Sequence, residues 1–485
     1  MLDNHLPATL PLGCGTAIFC YGHCFHRDAQ VASLELVVGG VRHRPTAARM
    51  PRRDLYEWLH GAHGAGADPA GHSYRSGFWA TLPVRAQERV GPLEIEALVR
   101  LDGGTEILVP LGQIEIVAAV SNLAAGGAWQ GLAAGTIAVC MATYEPDPSL
   151  LRTQIESLRA QTDTRWICVI SDGGSSRKRF EEIVSVIDGD DRFRVSRSDR
   201  RLDPYRNFER ALTLAPAGAE LIALCDQDDR WYPDKLGALR CGLGSSMLVY
   251  SDQRLIDDAG RLLRDSLWEG RRNDRENLAS LLVANTVPGA AMLLRRELLG
   301  VALPFPEAPG VQYHDHWLAL AALAAGSIAY VDRPLYDYVQ HAAAVQGATG
   351  RVRTITPRRL RRGSRGWRGA YFGGYVNRQV WASTLLVRCG QALPRRKRRA
   401  LSWFVAADRA LPYYAWLALR PLRRMLGRDE TLGGEIALTA GLQWRRLIVL
   451  AVGRAKRPGR RAYDASFPNP PEFEQRRLRR WRAGA

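Results

Sequence analysis

Three carboxylates fall within four residues at Asp226-Gln227-Asp228-Asp229, directly after the apolar run 221–225. Charges packed that closely repel one another unless a cation neutralises them. Hard oxygen donors select Mg²⁺ or Mn²⁺, ions that typically bridge carboxylates to phosphates. An acidic loop can also be merely solvated, but this one abuts an apolar run and Trp231, which favours a ligand. Two further polar turns follow apolar runs in the same way. Thr143 and Tyr144 follow residues 137–142, where a hydroxyl, a ring and free backbone amides can meet the sugar, base and phosphates of a nucleotide. Asp172 sits in the tight turn Ser171-Asp172-Gly173-Gly174-Ser175, suited to accept from a base or ribose, although alone it is an ordinary turn residue. Asp315 stands between His314 and His316 at the start of the apolar stretch 317–325. It could cap that helix, or take a proton from an acceptor hydroxyl.

These residues need a scaffold that brings strand ends together. Residues 137–142, 166–170 and 221–225 are apolar throughout, 193–195 adds a short strand-like segment, and amphipathic helical patterns separate them, near 151–158, 180–187 and 208–214. Strands apolar on both faces, alternating with helices, imply an α/β fold with a mainly parallel sheet. Ligands in such folds bind beyond the carboxyl ends of the strands.

Ahead of this region, β-rich segments at 17–25, 33–41, 77–84, 93–101 and 106–110 predict a small β-sandwich over residues 10–120. It could bind carbohydrate, mediate assembly or simply pack on its neighbour, and packing is the simplest role. The Cys20, His23, Cys24 and His26 cluster lacks paired zinc-ligand spacing, so a structural role is expected. Glycine-rich residues 121–135 read as a linker to a catalytic region spanning 134–350. Residues 351–485 form a basic, mainly helical region, with helices expected near 374–389, 399–419 and 432–452 and a poorly ordered end at 456–485. The last helix, with Arg445 and Arg446, is a candidate for a membrane surface.

The net charge of +18 is unevenly distributed. Residues 351–485 hold 32 Lys and Arg against 7 Asp and Glu, while residues 1–350 hold 35 against 42. A patch of that sign suits anionic lipid headgroups, nucleic acid or an acidic polymer. No nucleic-acid reading motif accompanies it, so nucleic acid is not the expected partner. Eight cysteines lack the spacing of a disulfide framework, which fits a reducing cytoplasm. The N-terminus does not resemble a secretory signal, and no run of about 18 uncharged apolar residues occurs. A cytoplasmic protein, peripheral on the inner face of the cell membrane, is expected.

Residues 136–347 resemble a family 2 glycosyltransferase with the nucleotide-diphospho-sugar transferase fold of GT-A type, most closely its bacterial rhamnosyltransferase-like members. The motifs are VCMATYEP at 139–146, SDGGS at 171–175, DQDDRW at 226–231 continuing through Pro233, Asp234 and Lys235, the Pro288-Gly289-Ala290 turn, HDHW at 314–317 and YVQHAAAVQG at 338–347. The resemblance implies that Thr143, Tyr144, Asp172, Asp226 and Asp228 bind the nucleotide-diphospho-sugar. It further implies that Asp228 and Asp229 hold Mg²⁺ or Mn²⁺, and that His341 adds a metal ligand or approaches the diphosphate. Asp315 takes the position of the catalytic base of an inverting transfer, with His314, His316 and Trp317 around the acceptor pocket or beneath it. Glu145 stands where the family usually has Asn, and Gly173 where a second Asp is common. No Gln-x-x-Arg-Trp signature follows Asp315, so one sugar would be added to a glycan or lipid-linked acceptor in cell-surface polysaccharide synthesis. The alternative is a catalytically silent carbohydrate-binding or assembly protein on a transferase scaffold.

Overall fold

The structure, a computed structural model, describes residues 1–62, 68–118, 129, 131–269, 275–340, 363–424 and 431–454. Most of the expected linker, the segment 341–362 with His341, and the C-terminal end from 455 lie outside the described residues.

The N-terminal strands form two sheets. β1 (Thr9–Pro11), β3 (Val31–Val38), β4 (Val41–His43), β7 (Gly91–Leu101) and β8 (Glu106–Val117) make a five-stranded sheet in the order β1-β8-β7-β3-β4. β2 (Thr16–His23), β5 (Ala47–Met50) and β6 (Gly77–Val84) make a three-stranded sheet in the order β2-β6-β5. The alternation that marked β7 turns Leu93, Ile95, Ala97, Val99 and Leu101 inward against Ile18, Cys20, Phe78, Ala80 and Leu82 of the smaller sheet. Cys20 therefore fills the core between the sheets, and His26 Nδ1 accepts from the Asp28 and Ala29 amides. The helix Arg53–Ala62 and the strand β5 add to the β-rich segments that the sequence marks.

The middle of the chain builds a nine-stranded mixed sheet. Its strands are β9 (Ile137–Thr143), β10 (Trp166–Asp172), β11 (Phe193–Arg197), β12 (Leu221–Cys225), β13 (Arg230–Trp231), β14 (Leu248–Asp257), β15 (Leu262–Arg264), β16 (Met292–Arg295) and β17 (Ile328–Gln340). The order is β11-β10-β9-β12-β16-β14-β17-β13, with β15 on β14. The four strands β9 to β12 are parallel, as their apolar runs and intervening helices require. Two of the intervening helices begin on a clear signal: Asp147 caps Pro148–Arg159 and Asp203 caps Pro204–Leu214, both with proline in the first turn.

The outer face of the smaller N-terminal sheet, with Tyr21, Met50 and Trp79, joins the core that the mixed sheet shares with the C-terminal helices. The helix Asn377–Cys389 stitches these parts together. Thr384 Oγ1 accepts from the Ala17 amide at 3.0 Å, and Thr81 Oγ1 donates to Gln379 Oε1 at 2.9 Å. The Arg388 guanidinium donates to the carbonyls of Gly15, Val301, Ala302 and Pro304.

Two C-terminal expectations are corrected. The helix expected over 399–419 is broken into Arg395–Ala406 and Leu411–Ala418, because Pro412 has no N–H to continue a preceding helix and instead begins the second. The last helix, Leu432–Arg454, does not present Arg445 to a surface. That guanidinium is buried, donating to the Thr46 carbonyl beside Asp408 and Tyr371.

Candidate active site

The parallel strands place their polar residues on one edge. Asp172 pairs with Thr143 in the β9/β10 register, and Cys225 pairs with Met141, so the acidic loop leaves β12 beside the Thr143-Tyr144 turn. Thr143 Oγ1 donates to Asp172 Oδ1 at 3.2 Å, the Ser175 amide donates to Asp172 Oδ2 at 3.0 Å, and Arg197 Nε lies 3.7 Å away. The Tyr144 amide donates to Gln227 Oε1 at 2.8 Å, which fastens the nucleotide turn to the acidic loop, and Arg201 lies over the Tyr144 ring at 4.6 Å.

Both departures from the family pattern have local causes. Glu145 adopts a left-handed backbone with φ 45°, a conformation Asn tolerates better than most residues. Glu145 is held there by its amide donating to Ser175 Oγ at 2.8 Å and by its carboxylate accepting from the Ser176 amide and hydroxyl. At Gly173 a Cβ would meet Asn207 Nδ2 at 3.0 Å and the Thr143 carbonyl at 3.3 Å, so a larger residue would push Asn207 off its bond to that carbonyl.

In the acidic loop Asp226 and Asp228 are partly exposed, whereas Asp229 is 1% exposed. Asp229 Oδ1 accepts from the Val339 amide at 3.4 Å, and its Oδ2 is buried without a hydrogen-bond partner among the described residues. Burial, then the charges of Asp226 and Asp228, push Asp229 well above the ordinary carboxylate range. Burial, then Asp228 and Asp315, raise Asp226 in the same way. That mutual influence brings the base candidate into the field of the acidic loop.

Lys235 lies buried beneath the loop. Its Nζ sits 3.6 Å from the Trp231 ring centroid and 4.2 Å from that of Tyr336, and donates to the Ala290 carbonyl at 2.6 Å. Burial brings its pKa down to about 7, against the opposing pull of Cys225, Asp229 and Asp226. In the sequence Lys235 ends the motif that begins at Asp226, and nothing there marks it, since a lysine near a helix start is usually solvated.

Asp315 belongs to the first turn of the helix His314–Ala325, one residue inside the start expected of a cap, and Tyr313 takes the cap position. Its Oδ1 accepts from the His316 amide at 2.7 Å, and the Asn285 side chain and the Gly289 amide also donate to the carboxylate. Burial nevertheless raises it to about 6, the hydrogen bonds acting against that rise. His314 stacks on Phe208 at 3.7 Å with Nε2 unpartnered among the described residues, and burial pushes it down to about 3. His314 is therefore neutral. Gly289 leaves room for it, since a Cβ there would fall 2.7 Å from Nε2. His316 and Trp317 pack beneath instead: the imidazole meets the Leu281 carbonyl and the Trp381 ring, and the indole donates to the Ala302 carbonyl at 2.9 Å.

Thr143, Tyr144, Asp172 and the loop 226–229 thus share one edge of the sheet, Asp315 raises Asp226 through its charge, and His341 lies outside the described residues. Tyr338 is an addition the sequence did not single out by itself. Burial raises its hydroxyl, followed by the charges of Asp229, Asp226, Asp228 and Asp315.

Among the described residues no three His, Cys, Asp or Glu side chains gather into a metal centre on their own. The donors nevertheless fit Mg²⁺ or Mn²⁺ completed by a substrate. These ions are commonly held by one or two carboxylates plus phosphate oxygens, and the unpartnered Asp229 oxygen beside two other carboxylates is a charge without its counter-charge.

Residues 138–301 match the model of a family described as glycosyl transferase family 2. No curated protein matches the chain. Among solved structures, S. aureus TarS 1-349 in complex with UDP-GlcNAc is 16% identical, with 66% of this chain and 93% of that chain covered at a TM-score of 0.39. Mannosyltransferase PcManGT from Pyrobaculum calidifontis, in complex with GDP-Man and Mn²⁺, is 15% identical, with 65% and 85% covered at a TM-score of 0.33. At such scores neither likeness carries an argument about this chain.

Proposed function

We propose that this glycosyltransferase adds one sugar, from a nucleotide-diphospho-sugar donor, to a glycan or lipid-linked acceptor by a metal-dependent, inverting displacement. The transferase assignment rests on the family match over residues 138–301 and the α/β fold around them. The further steps rest on one observation: Asp315, raised by burial to about 6, lies in the electrostatic field of an acidic loop that Gln227 ties to the Thr143-Tyr144 turn.

Thr143, Tyr144 and Asp172 hold the nucleoside, with Asp172 fixed by Thr143 and Ser175. Asp226 and Asp228 face the diphosphate, and Asp228 with Asp229 holds Mg²⁺ or Mn²⁺, His341 being a further candidate ligand. Such an ion, when bound, offsets the negative charge that gathers on the departing nucleoside diphosphate. Asp315 accepts the proton of the acceptor hydroxyl as that oxygen attacks the anomeric carbon from the face opposite the leaving group, which inverts the configuration. Neutral His314 and the Tyr338 ring line the acceptor's approach.

A rhamnosyltransferase-like role in bacterial cell-surface polysaccharide synthesis is the preferred specific reading. The protein would then work at the cytoplasmic face of the cell membrane, with its basic C-terminal region toward anionic lipid. Among the described residues no helix is long and apolar enough to cross a membrane. The test is a panel of nucleotide sugars, each with Mn²⁺, Mg²⁺ or chelator, read first by protection against thermal unfolding and then by transfer. A metal-dependent rise in Tm with one nucleotide class, followed by turnover with inverted product, is expected. Glycan binding without any nucleotide-sugar binding or turnover would instead indicate the silent carbohydrate-binding alternative.

A further inference from the structure

The helix Leu411–Ala418 inverts the usual surface pattern. It contains no charged residue, and it buries Leu417 while half-burying Tyr413. The opposite stripe, at spacings of four, four and three residues, is Leu411, Ala415, Leu419 and Leu422, running into the short helix Arg420–Arg424. Leu411 is 64% exposed, Leu419 51% and Leu422 60%, and Leu447 on the neighbouring helix Leu432–Arg454 is 51% exposed. A solvent-facing stripe made only of apolar side chains is unusual for a water-soluble surface and marks a contact site.

The border of the stripe identifies the partner. Arg399 lies over Trp403 at 4.2 Å and Trp403 meets Trp416 edge-on at 5.7 Å, whereas Arg420, 5.5 Å from the Trp416 ring, is ion-paired to the buried Glu435 and stands inside the exposed rim rather than in it. On the other flank Arg446 lies over Tyr414 at 4.5 Å, and the Tyr414 hydroxyl donates to Gln443 Oε1 at 2.6 Å. Arg395, Arg396 and Arg398 extend the exposed positive rim. Leucines flanked by half-buried Trp and Tyr and rimmed by arginine match the layering of a bilayer interface: acyl chains, then the aromatic level, then anionic headgroups. A second copy of this chain seated on the stripe would set one arginine rim against another, and a nucleic acid offers nothing to the leucines.

We propose that the stripe Leu411–Leu419–Leu422, with Trp416 and its arginine rim, is where this protein lies on an anionic lipid bilayer. The stripe is tied to the acceptor side of the site. Arg420 donates to Ser280 Oγ at 2.9 Å and to Glu435 Oε1, the segment 278–283 receives His316 at the Leu281 carbonyl, and the nearby Asn285 bonds Asp315. A lipid-linked acceptor arriving from the bilayer would therefore meet Asp315 without leaving the membrane surface. That consequence rests on the function proposed above, whereas the contact with lipid does not.

The test is co-sedimentation of the full chain with vesicles of phosphatidylglycerol and phosphatidylcholine, and with phosphatidylcholine alone, near physiological salt. The wild type is expected to bind the anionic vesicles only. The charge-neutral triple variant Leu411→Gln/Leu419→Gln/Leu422→Gln is expected to lower that binding by about tenfold or more, with Tm unchanged; the single changes Leu411→Gln and Leu422→Gln lower it in smaller steps. Unchanged binding in all three variants overturns the proposal. It is also overturned if the wild type dimerises without lipid and the triple variant only abolishes that dimer. Intact vesicle binding by a chain that transfers no sugar under any condition would defeat the proposed function and leave this inference standing.

Discussion

The two halves of the active edge are satisfied to opposite degrees. Around Asp172 the protein supplies its own partners: Thr143, Ser175 and Arg197 surround the carboxylate, and Asn207 pins the backbone turn beside it. Around Asp229 it does not. One carboxylate oxygen is buried without a partner among the described residues, burial and like charges raise Asp226 and Asp229, and the nearest buried cation, Lys235, is itself pulled toward neutrality. On the proposed function, the site is preformed on the nucleoside side and short of positive charge on the diphosphate side, which favours a cation and a substrate that arrive together. The unfavourable charge is held in the folded state until binding relieves it.

The contrast can be broken by mutation. Asp228→Ala should lower metal-dependent transfer by roughly 10³-fold, the scale of several kcal/mol of lost charge stabilisation; steady-state kinetics across a Mn²⁺ titration would reveal it, and undiminished turnover would remove the metal assignment. A pH profile sharpens the same contrast. In the proposed mechanism Asp315 acts as a carboxylate, and burial raises its pKa to about 6, above the ordinary value. The competent fraction is therefore full above that pH and shrinks as pH falls through it. kcat/KM is expected to drop about tenfold per pH unit below about 6, whereas an unperturbed carboxylate would hold the plateau to near pH 4.

Lys235→Met should act more mildly, because Lys235 positions rather than reacts. Losing its link to the Ala290 carbonyl loosens the turn whose Gly289 amide bonds Asp315. A fall in kcat of about tenfold, with donor KM nearly unchanged and the acid limb of the pH profile displaced, is expected; an unaltered pH profile would reduce Lys235 to a packing residue. The smallest effect is a gain. Asp229→Asn removes a buried charge whose folded pKa is raised, so the folded state binds that proton more tightly than the unfolded chain. The cost to stability is absent at acid pH and grows as pH rises above the unfolded value. Without ligand, the variant should unfold a few degrees higher at neutral or alkaline pH, on the order of 1 kcal/mol, with no gain near pH 4. Scanning calorimetry at the two pH values checks the sign.

Sequence and structure agree most where one residue type has one physical meaning. Continuous apolar runs at β9, β10 and β12 are the buried parallel strands that they imply, and the acidic loop directly follows β12. Legibility failed where meaning depends on a distant partner. Lys235 is buried because Trp231 and Tyr336 sandwich its charge, and Arg445 because Thr46, nearly four hundred residues earlier, accepts from it. The strands β14 and β17 carry the charged residues Arg254 and Asp337, and Asp337 accepts from Arg254, Arg230 and the Tyr232 hydroxyl. The surface stripe on Leu411–Ala418 depends on Pro412 starting a new helix, a break that the apolar pattern over 399–419 does not reveal.

The most direct trial of the account is to measure donor affinity and transfer rate side by side in Asp315→Asn, with Mn²⁺ present. If the acidic loop and the nucleotide turn form one donor site with Asp315 beside it as the base, calorimetry should give a donor Kd within about twofold of wild type while transfer falls by about 10²-fold or more. Normal turnover, or donor affinity lost in step with the rate, would contradict it.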